Sequence, residues 1–263
     1  MKSKPLISII TVCYNSEKTI KDTIESVLNQ TYTNIEYILI DGKSIDSTVE
    51  IIKSYEVEAK EKGIIYRWIS EPDKGIYDAM NKGIDLVTGE YINFMNSGDS
   101  FVNNDILKVI LKQVTNEEDI IYGDVIIKFD QNNKKILFAR EIKSFYKGIP
   151  FCHQSCFIKS NLMKEEKYDL KYQLCSDYDF FYNMYMKKKK YKYIKLPIAI
   201  YDYYGVSSNL AKTFAEKKKI VLFYEPKYSL YLYFLRIKNM IKFFLPLFII
   251  RKIQTRRKRK FYE

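Results

Sequence analysis

The chain has 263 residues, 47% of them apolar and 29% charged, a balance that allows a packed core and excludes wholesale disorder. The net charge of +12 is uneven: residues 1–211 carry 29 basic and 29 acidic side chains, whereas residues 212–263 carry 15 and 3. A nucleic-acid enzyme is expected to line its folded body with basic residues. The neutral body therefore argues against a nucleic-acid partner.

The cysteines and the histidine bear on metal binding and on the redox setting. The four cysteines form no CxxC pair and no zinc spacing, and His153 is the only histidine, so we expect no structural zinc site. The N-terminal sequence MKSKPLISII lacks a long apolar segment, so we expect no signal peptide. Together these features predict a reducing, cytoplasmic setting.

The first hundred residues alternate between apolar β-branched runs and amphipathic stretches. The runs predict four buried strands, at 6–14, 35–41, 64–70 and 91–95. Helices are predicted at 17–30 and 75–87, and a capping box at 47–50 opens another helix between them. Trp68, in the third strand, is expected in the core. Such alternation is typical of βαβ units and a mostly parallel, Rossmann-like sheet.

Each predicted strand is followed by a polar loop. These loops are Tyr14–Ser16, Asp41–Ser44, Glu71–Lys74 and Asn96–Asp99. Ligands of open α/β sheets bind at the carboxyl ends of the strands, so the four loops predict one acidic ligand-binding edge. The sequence has no GxGxxG after the first strand and no P-loop, which favours a metal ion as the partner of bound phosphates. Each loop alone is equally well an ordinary turn.

The next hundred residues predict a mixed arrangement. Helices are expected at 103–114 and 176–188, a strand pair at 119–130 and 134–140, a strand at 152–160, and one or two strands at 191–204, interrupted at Pro197. This pattern predicts a lobe that covers the strand ends and receives a second substrate. We therefore divide the chain into a domain of residues 1–211, with halves 1–100 and 101–211, and a tail of residues 212–263.

Four segments resemble family 2 glycosyltransferases with a GT-A fold. They are residues 5–32, 35–48, 69–101 and 175–180, and their order and spacing match the family over about residues 5–205. The resemblance implies an α/β GT-A fold with a mostly parallel central sheet and a mixed acceptor-side lobe. It also implies a nucleotide-sugar donor, a divalent cation (Mn²⁺ or Mg²⁺) and inversion at the anomeric carbon.

The resemblance further implies where the sugar donor binds. In the family, the nucleoside is held by the loop after the first strand, the acid after the second and an Asp after the third. The positions here that we expect to contact the sugar donor are Thr11, Tyr14, Asn15, Asp41, Asp73, Lys74, Asn96 and Ser97.

The loop after the fourth strand is the metal motif of the family, and Asp99 is the acid that remains in it. Asn96 and Gly98 occupy positions that are often acidic. Mg²⁺ needs only one or two protein carboxylates, so one Asp, two phosphate oxygens and water form a sufficient set. Taken alone, Asp99 is as readily explained by a turn; in its family context we predict that it contacts the cation.

Asp177 is the expected catalytic base, because the family places its base second in a Glu-Asp pair at the start of a helix. Here Ser176 replaces the Glu, and Asp179 is the second choice. Two residues apart on a helix, the two acids face different directions. A position at a helix N-terminus also suits a simple cap. His153 and Gln154 are placed by the resemblance in the pocket near the sugar donor and the acceptor, although a lone His is often structural.

The tail at 227–263 is basic and amphipathic. Apolar residues recur at helical spacing from Phe234 to Phe248, and a basic run follows at 256–260. Its longest uncharged runs, 228–235 and 243–250, are far shorter than the roughly 20 residues that span a bilayer. This pattern predicts a helix that lies on an anionic membrane surface, with a packed helix, an oligomer contact or a solvated charge run as the alternatives.

The resemblance, together with these features, implies a hexosyl- or N-acetylhexosaminyltransferase at the cytoplasmic face of the cell membrane. It would move a sugar from a UDP-sugar to a glycan or lipid-linked acceptor in cell-surface polysaccharide synthesis. The departures at Asn96, Gly98 and Ser176 keep open a catalytically silent homologue that binds a nucleotide or helps to assemble a membrane complex. A nucleotidyltransferase would need a basic, glycine-rich phosphate loop, which the sequence lacks. The oligomeric state is left open.

Overall fold

The computed structural model describes residues 4–115, 117–130, 133–202 and 210–234. Its strands are β1 Ile7–Cys13, β2 Ile35–Asp41, β3 Ile65–Ser70, β4 Tyr91–Phe94, β5 Ser100–Phe101, β6 Ile120–Lys128, β7 Lys134–Leu137, β8 Cys156–Lys159 and β9 Tyr191–Asp202. Its α-helices are α1 Ile20–Leu28, α2 Thr48–Ser54, α3 Glu56–Glu61, α4 Ile76–Leu86, α5 Ile106–Leu111, α6 Ser160–Glu165, α7 Ser176–Met186 and α8 Leu210–Tyr224. Short 3-10 helices span Ile142–Lys147, His153–Ser155 and Pro226–Tyr228.

The strands in the described part of the chain form one nine-stranded sheet, with the order β3-β2-β1-β4-β8-β6-β9-β5 and β7 paired to β6. The first four strands are parallel to one another. From β8 onward the pairing is mixed: β4–β8, β8–β6, β6–β7 and β5–β9 are antiparallel, and β6–β9 is parallel. This confirms the α/β prediction of a parallel half followed by a mixed half, and the mixed half extends the same sheet.

Helices cover the parallel half on both faces. Because the side chains of a strand alternate between faces, neighbouring residues of β1 pack against different helices. Ile9 of β1 belongs to a core cluster that contains Ile20 and Ile24 of α1. Its neighbour Ile10 points to the opposite face, where it contacts Gly83 of α4 so closely that a Cβ there would lie 2.6 Å from it. Burial of this kind on both faces explains why β1 and β2 are mostly apolar, with every residue buried, including the polar Thr11 and Asp41.

Several local predictions were wrong in detail. Trp68 is only half-buried, because β3 is the edge strand, and its indole N–H donates to Glu56 Oε1 (2.6 Å). Ser47 precedes α2 but makes no side-chain cap; the Asp46 carboxylate accepts the Thr48 N–H instead (3.1 Å). Pro197 does not divide β9, since the irregular register opposite Asp124 absorbs it.

Other differences concern the ends of elements. The helix predicted at 103–114 is reduced to α5, and the strand predicted at 152–160 is a 3-10 turn followed by the short strand β8. The last two residues of the strand predicted at 191–204 lie outside the described residues, as does most of the predicted amphipathic tail, beyond residue 234.

The chain divides into two compact units, one up to Lys217 and one from Lys218 on. All residues of the predicted site belong to the first unit. In the described part of the second, Phe223, Leu230, Tyr233 and Phe234 are each more than half exposed. None of the helices in the described residues is long and apolar enough to cross a bilayer.

Candidate active site

The carboxylate of Asp41 organises the loops after β2 and β3. Asp41 ends β2 and is fully buried. Its Oδ2 accepts hydrogen bonds from the backbone N–H of Ser44 (2.9 Å) and from Ser70 Oγ (2.6 Å), and its Oδ1 accepts one from Ser44 Oγ. With its acceptors used by its own loops, Asp41 shapes the edge of the sheet from below.

The loop after β1 is tied to the same structure. The Asn15 N–H donates to Ser44 Oγ (2.8 Å), and the Ile45 N–H donates to Asn15 Oδ1 (3.0 Å). Asn15 has a φ of 47°, a left-handed conformation in which Asn is among the better tolerated side chains. These bonds fix the two loops relative to each other and leave Asn15 exposed.

Tyr14 and Asp73 flank Gly42. Tyr14 is 60% exposed. A Cβ on Gly42 would lie 2.5 Å from Asp73 Oδ2 and 3.3 Å from Tyr14 Cδ2. An open aromatic ring beside a carboxylate provides a surface on which a base can stack and an acceptor for one of its N–H groups. Lys74, the next residue after Asp73, is exposed at the same loop.

The loop after β4 is held by α1. The Asp99 N–H donates to the Asn96 carbonyl (2.9 Å), and Thr23 Oγ1 donates to the Asp99 carbonyl (2.8 Å) while it accepts the Gly98 N–H (3.0 Å). Ser97 Oγ lies 2.9 Å from Thr19 Oγ1. Gly98 has a φ of +97°, which side-chain-bearing residues rarely adopt. A side chain at position 98 would therefore be strained in this turn.

The carboxylate of Asp99 is nearly buried, with 6% exposure, and its Oδ2 accepts a hydrogen bond from Gln154 Nε2 (2.9 Å). Within the described residues, no group of three or more His, Cys, Asp or Glu side chains is arranged to hold a metal ion. An oxygen ligand of this kind suits a hard cation that takes its remaining ligands from phosphates and water. Asp99 thus fits a cation shared with a bound diphosphate.

A short turn brings His153 and Gln154 to this loop. The side-chain amide of Asn93, fully buried in β4, donates to the carbonyls of Gln154 and Cys156, both at 2.9 Å. The buried strand thereby anchors the 3-10 turn at His153–Ser155. His153 Nε2 then lies 3.3 Å from Asn96 Nδ2, so the turn contacts the β4 loop at two points.

Asp177 lies in the first turn of α7 with its side chain 17% exposed. Its Oδ1 accepts a hydrogen bond from the Tyr77 hydroxyl (2.8 Å), and its Oδ2 lies 3.4 Å from His153 Nδ1. Burial by itself raises the pKa of Asp177, but the hydrogen bonds from His153 and Tyr77 outweigh burial and hold this pKa below its usual value. The carboxylate is therefore charged at neutral pH and partly open to solvent, as a general base must be.

Two predicted residues lie apart from this cluster. Thr11 is fully buried within β1, where its hydroxyl donates to the Met95 carbonyl (2.6 Å) and lies 3.0 Å from the Tyr37 hydroxyl. Asp179 lies on another side of α7, as helix geometry predicts, and acts electrostatically on Lys171 and Tyr172. Of the other predicted residues, Asp41 ends β2, Asp177 lies in the first turn of α7, and the rest lie in the strand-end loops or in the 3-10 turn at His153–Ser155.

Two residues of the cluster were not predicted. Asn93 carried a signal that could have been used, because an amide in the middle of an apolar strand must find hydrogen-bond partners. Tyr77 carried none, since a Tyr near the start of an amphipathic helix is an ordinary core residue. Only the packing of α4 against the segment before α7 brings its hydroxyl to Asp177.

The site can now be compared with known proteins. Residues 8–193 match the family described as glycosyl transferase family 2. The chain belongs to that family. It is a glycosyltransferase with a GT-A fold, as its sequence predicted.

Relatives and solved structures agree with this assignment. A PGL/p-HBAD biosynthesis glycosyltransferase of Mycobacterium bovis is 31% identical over 218 residues, which cover 78% of this chain and 80% of the relative. An uncharacterized glycosyltransferase of Methanocaldococcus jannaschii is 32% identical over 191 residues, which cover 67% of this chain and 63% of that protein.

Two solved structures share the fold at low sequence identity. The crystal structure of S. aureus TarS superposes with a TM-score of 0.63 at 17% identity, over 83% of this chain and 40% of that one. The mannosyltransferase PcManGT of Pyrobaculum calidifontis, in complex with GDP-Man and Mn²⁺, gives a TM-score of 0.62 at 14% identity, over 83% and 65%. The chain thus spans less than half the length of the TarS chain.

Proposed function

We propose that the protein is an inverting glycosyltransferase that moves a sugar from a UDP-sugar to a glycan or lipid-linked acceptor in cell-surface polysaccharide synthesis. The observation that carries the proposal is the charged, partly open carboxylate of Asp177, held by Tyr77 and His153 beside the loop at Asn96–Asp99. A base beside a diphosphate-binding loop is what direct displacement at an anomeric carbon requires.

The sugar donor would bind along the strand-end loops. Tyr14 would provide a stacking surface for the nucleobase, and Asp73 would accept a hydrogen bond from it. Asn15 and Asp41 hold the loops around this surface, and Lys74 extends the loop of Asp73. Structures of TarS in complex with UDP and with UDP-GlcNAc have the same fold, with TM-scores of 0.62 and 0.61. This likeness supports a uridine nucleotide, with a guanosine nucleotide as the alternative, since PcManGT is in complex with GDP-Man.

The chemistry would be a single displacement. Asp177 accepts the proton of the acceptor hydroxyl as that oxygen forms a bond to the anomeric carbon. The bond from the anomeric carbon to the diphosphate breaks, and the electron pair leaves with the diphosphate. A positioned carboxylate contributes about 10²–10⁴-fold to such a step. His153 and Gln154 would line the junction of the two substrates, and Asp179 stays the second choice for the base.

Asp99 would hold a divalent cation, Mn²⁺ or Mg²⁺, together with the diphosphate. A bound cation offsets the negative charge that develops on the leaving group. Gln154 orients the Asp99 carboxylate through Oδ2, and Asn96 and Ser97 place polar side chains at the same loop.

We also propose that the second unit binds an anionic membrane surface at the cytoplasmic face. Its exposed Phe223, Leu230, Tyr233 and Phe234, together with the basic run at 256–260, provide the apolar and cationic groups that interfacial binding needs. Cosedimentation with vesicles that contain 30% phosphatidylserine, compared with pure phosphatidylcholine, tests this. Equal binding to both would contradict it.

The sugar-transfer proposal is tested by a screen of UDP-, GDP- and dTDP-sugars with Mg²⁺ or Mn²⁺. Release of the nucleoside diphosphate is measured without and then with candidate acceptors. We expect release from a UDP-sugar that rises when the acceptor is present. Failure of the purified protein to bind or cleave any of these compounds would contradict the proposal.

The nearly buried Asp99 and the glycine at position 98 favour a second candidate, a catalytically silent homologue that binds a nucleotide and assists a membrane complex. Calorimetry of UDP binding with and without Mn²⁺ separates the two. The enzyme requires that Mn²⁺ strengthen binding and that Asp99→Ala remove this effect. Binding that ignores both would favour the silent homologue.

A further inference from the structure

The carboxylate of Asp177 is held from two sides by residues that arrive from different parts of the chain. Tyr77 comes from α4 in the parallel half, and His153 comes from the 3-10 turn that follows the mixed strands. We propose that Tyr77 and His153 are positioning residues that fix the two oxygens of the base, and that His153 also connects the base to the loop at Asn96–Asp99. The inference rests on the proposed role of Asp177.

Tyr77 is well placed for this task because its ring cannot move freely. The side chain is 9% exposed, and its ring packs against that of Tyr168 with centroids 5.2 Å apart. Burial and the nearby Asp177 keep the pKa of Tyr77 well above its usual value. The hydroxyl therefore keeps its proton and can only donate to Asp177 Oδ1, which fixes that oxygen.

His153 is placed between two polar partners. An Asn96 amide N–H that donates to Nε2 requires a neutral imidazole with its proton at Nδ1, and this N–H would then donate to Asp177 Oδ2. The two distances, 3.3 and 3.4 Å, are long for hydrogen bonds. Such contacts in active sites often shorten only when substrate is bound. A substrate group that replaced the Asn96 amide at Nε2 would then be connected to Asp177 through the imidazole of His153.

Besides Tyr77, the groups whose pKa the Asp177 charge helps to raise, Cys152, Tyr168 and Cys175, are neutral at neutral pH, and Asp179 in the same turn of α7 is a second carboxylate. Burial raises the pKa of Cys152, from the 3-10 turn, to about 12 and that of Cys175, just before α7, to about 12. Burial also keeps the pKa of Tyr168 well above its usual value. The side chains that stabilise the charged carboxylate directly are thus Tyr77 and His153, among the residues that the structure describes.

The consequence is a signed pH effect. Asp177 acts as a base only when charged, so the rate falls as the pH falls through its pKa. Removing a hydrogen bond to the charged form raises that pKa, and the acid limb of the kcat profile moves to higher pH. We expect Tyr77→Phe to lower kcat about 10-fold or more at the same time, because a hydrogen bond to a charged group is lost.

Tyr168→Phe is a matched control for Tyr77→Phe. The Tyr168 hydroxyl is buried and has no hydrogen-bond partner among the described residues, and its ring belongs to the same aromatic cluster. Removing it leaves the cluster packed and the Asp177 contacts intact. We expect kcat, the KM for the sugar donor and the acid limb to remain those of the unmodified protein.

His153 can be dissected by two amide substitutions. The amide nitrogen of Asn can replace Nδ1, whereas that of Gln reaches about as far as Nε2. We therefore expect His153→Gln to move the acid limb in the same direction as Tyr77→Phe and His153→Asn to keep it nearly in place. Both variants should leave the KM for the sugar donor within about 2-fold, since the polar contacts of His153 are with Asn96 and Asp177 and not with Tyr14 or Asp73.

A second measurement needs no substrate, because His153 is the only histidine in the chain. Nitrogen-15 NMR of the imidazole should show one ring, with the neutral form protonated at Nδ1. In Asp177→Asn the signals should move, whereas in Tyr168→Phe they should not. A ring protonated at Nε2 in the unmodified protein would overturn the role given to His153.

The outcomes separate this inference from the function on which it rests. If Asp177→Asn remains active with the UDP-sugar found in the screen, the proposed base is wrong. If Asp177→Asn is inactive but Tyr77→Phe and both His153 variants behave like Tyr168→Phe in kcat and in pH profile, the positioning roles are wrong and the base stands.

Discussion

Two carboxylates at the same edge of the molecule are held in different ways. Asp41 is fully buried, and its hydrogen bonds come from hydroxyl and backbone groups of the adjoining loops at Ser44 and Ser70. Asp177 is 17% exposed, and its partners are a phenol and an imidazole. The first carboxylate has no open side, whereas the second retains one from which a proton could arrive.

The difference also lies in how far along the chain the partners are. Ser44 and Ser70, three and 29 positions from Asp41, belong with it to the parallel half, whereas Tyr77, 100 positions from Asp177 of α7, comes from α4 in the parallel half. The sugar-donor edge, our name for the four strand-end loops that we propose bind the sugar donor, can therefore form largely within the parallel half. The contacts of Asp177, the proposed base, are completed only when α4, the 3-10 turn and α7 are packed together, so binding of the sugar donor and catalysis should be separable by mutation.

The largest expected effect is that of Asp177→Asn. The amide cannot accept the acceptor proton, so kcat should fall about 10²–10⁴-fold. Affinity for the sugar donor, measured by calorimetry, should stay within about 2-fold because the nucleoside surface at Tyr14 and Asp73 is untouched. Asp179→Asn is the matched control on the same helix and should retain activity. Loss of binding of the sugar donor in Asp177→Asn would contradict the separation of the two regions.

Asp41→Asn is expected to lower the stability of the protein rather than to remove a proton acceptor. The amide replaces one acceptor oxygen with a donor that faces the hydroxyl and N–H donors of the loops. A buried donor left unsatisfied costs about 1–3 kcal/mol, so the melting temperature should fall by roughly 2–12 °C. Both melting and binding of the sugar donor are measured. A protein that melts normally but binds no UDP would show that Asp41 contacts the nucleotide itself.

The comparison also indicates what the sequence could and could not predict. Strand-end loops follow from apolar runs that end in polar residues, so the positions of the four loops could be predicted from local pattern, and the family resemblance added the proposal that they bind the sugar donor. The accessibility of these residues to a ligand was not predicted correctly. Thr11 and Asp41 were expected to contact the ligand, and both are fully buried. The burial of Asp41 depends on how the loops fold back over the end of β2, which no local pattern contains, whereas the burial of Thr11 agrees with its place inside the predicted buried strand at 6–14.

The contacts of Asp177 show a different limit. Its place at the start of a helix followed from the sequence, and so did its separation from Asp179. Tyr77 could not be assigned to it, because a contact across 100 residues depends on the packing of α4 against the mixed half. The edge position of β3 was hidden in the same way, since an apolar strand with Trp68 gives no sign that one side lacks a neighbouring strand.

A smaller effect is expected from Gly42→Ala. The new methyl group would lie 2.5 Å from Asp73 Oδ2, so the carboxylate must move away from the surface that it forms with Tyr14. Loss of one hydrogen bond between Asp73 and the nucleobase should raise the Kd for UDP about 10-fold, with little change in melting temperature. Ile45→Ala, at an 88% exposed position of the same loop, is the control and should leave UDP binding unchanged.

The smallest effect on activity is expected from Gly98→Asp, which restores an acid to the β4 loop. A φ of +97° costs a side-chain-bearing residue about 1–3 kcal/mol, so the melting temperature should fall by roughly 2–12 °C. There is room for the side chain, since a Cβ would meet only Thr19 Cβ at 3.9 Å, so the protein should still fold. The strained turn should offer no better cation site, and the Mn²⁺ concentration for half-maximal UDP binding should change less than about 3-fold. A large gain in Mn²⁺ affinity would contradict this. It would mean that the cation site lacks only a second carboxylate, and that the backbone conformation at position 98 does not exclude one.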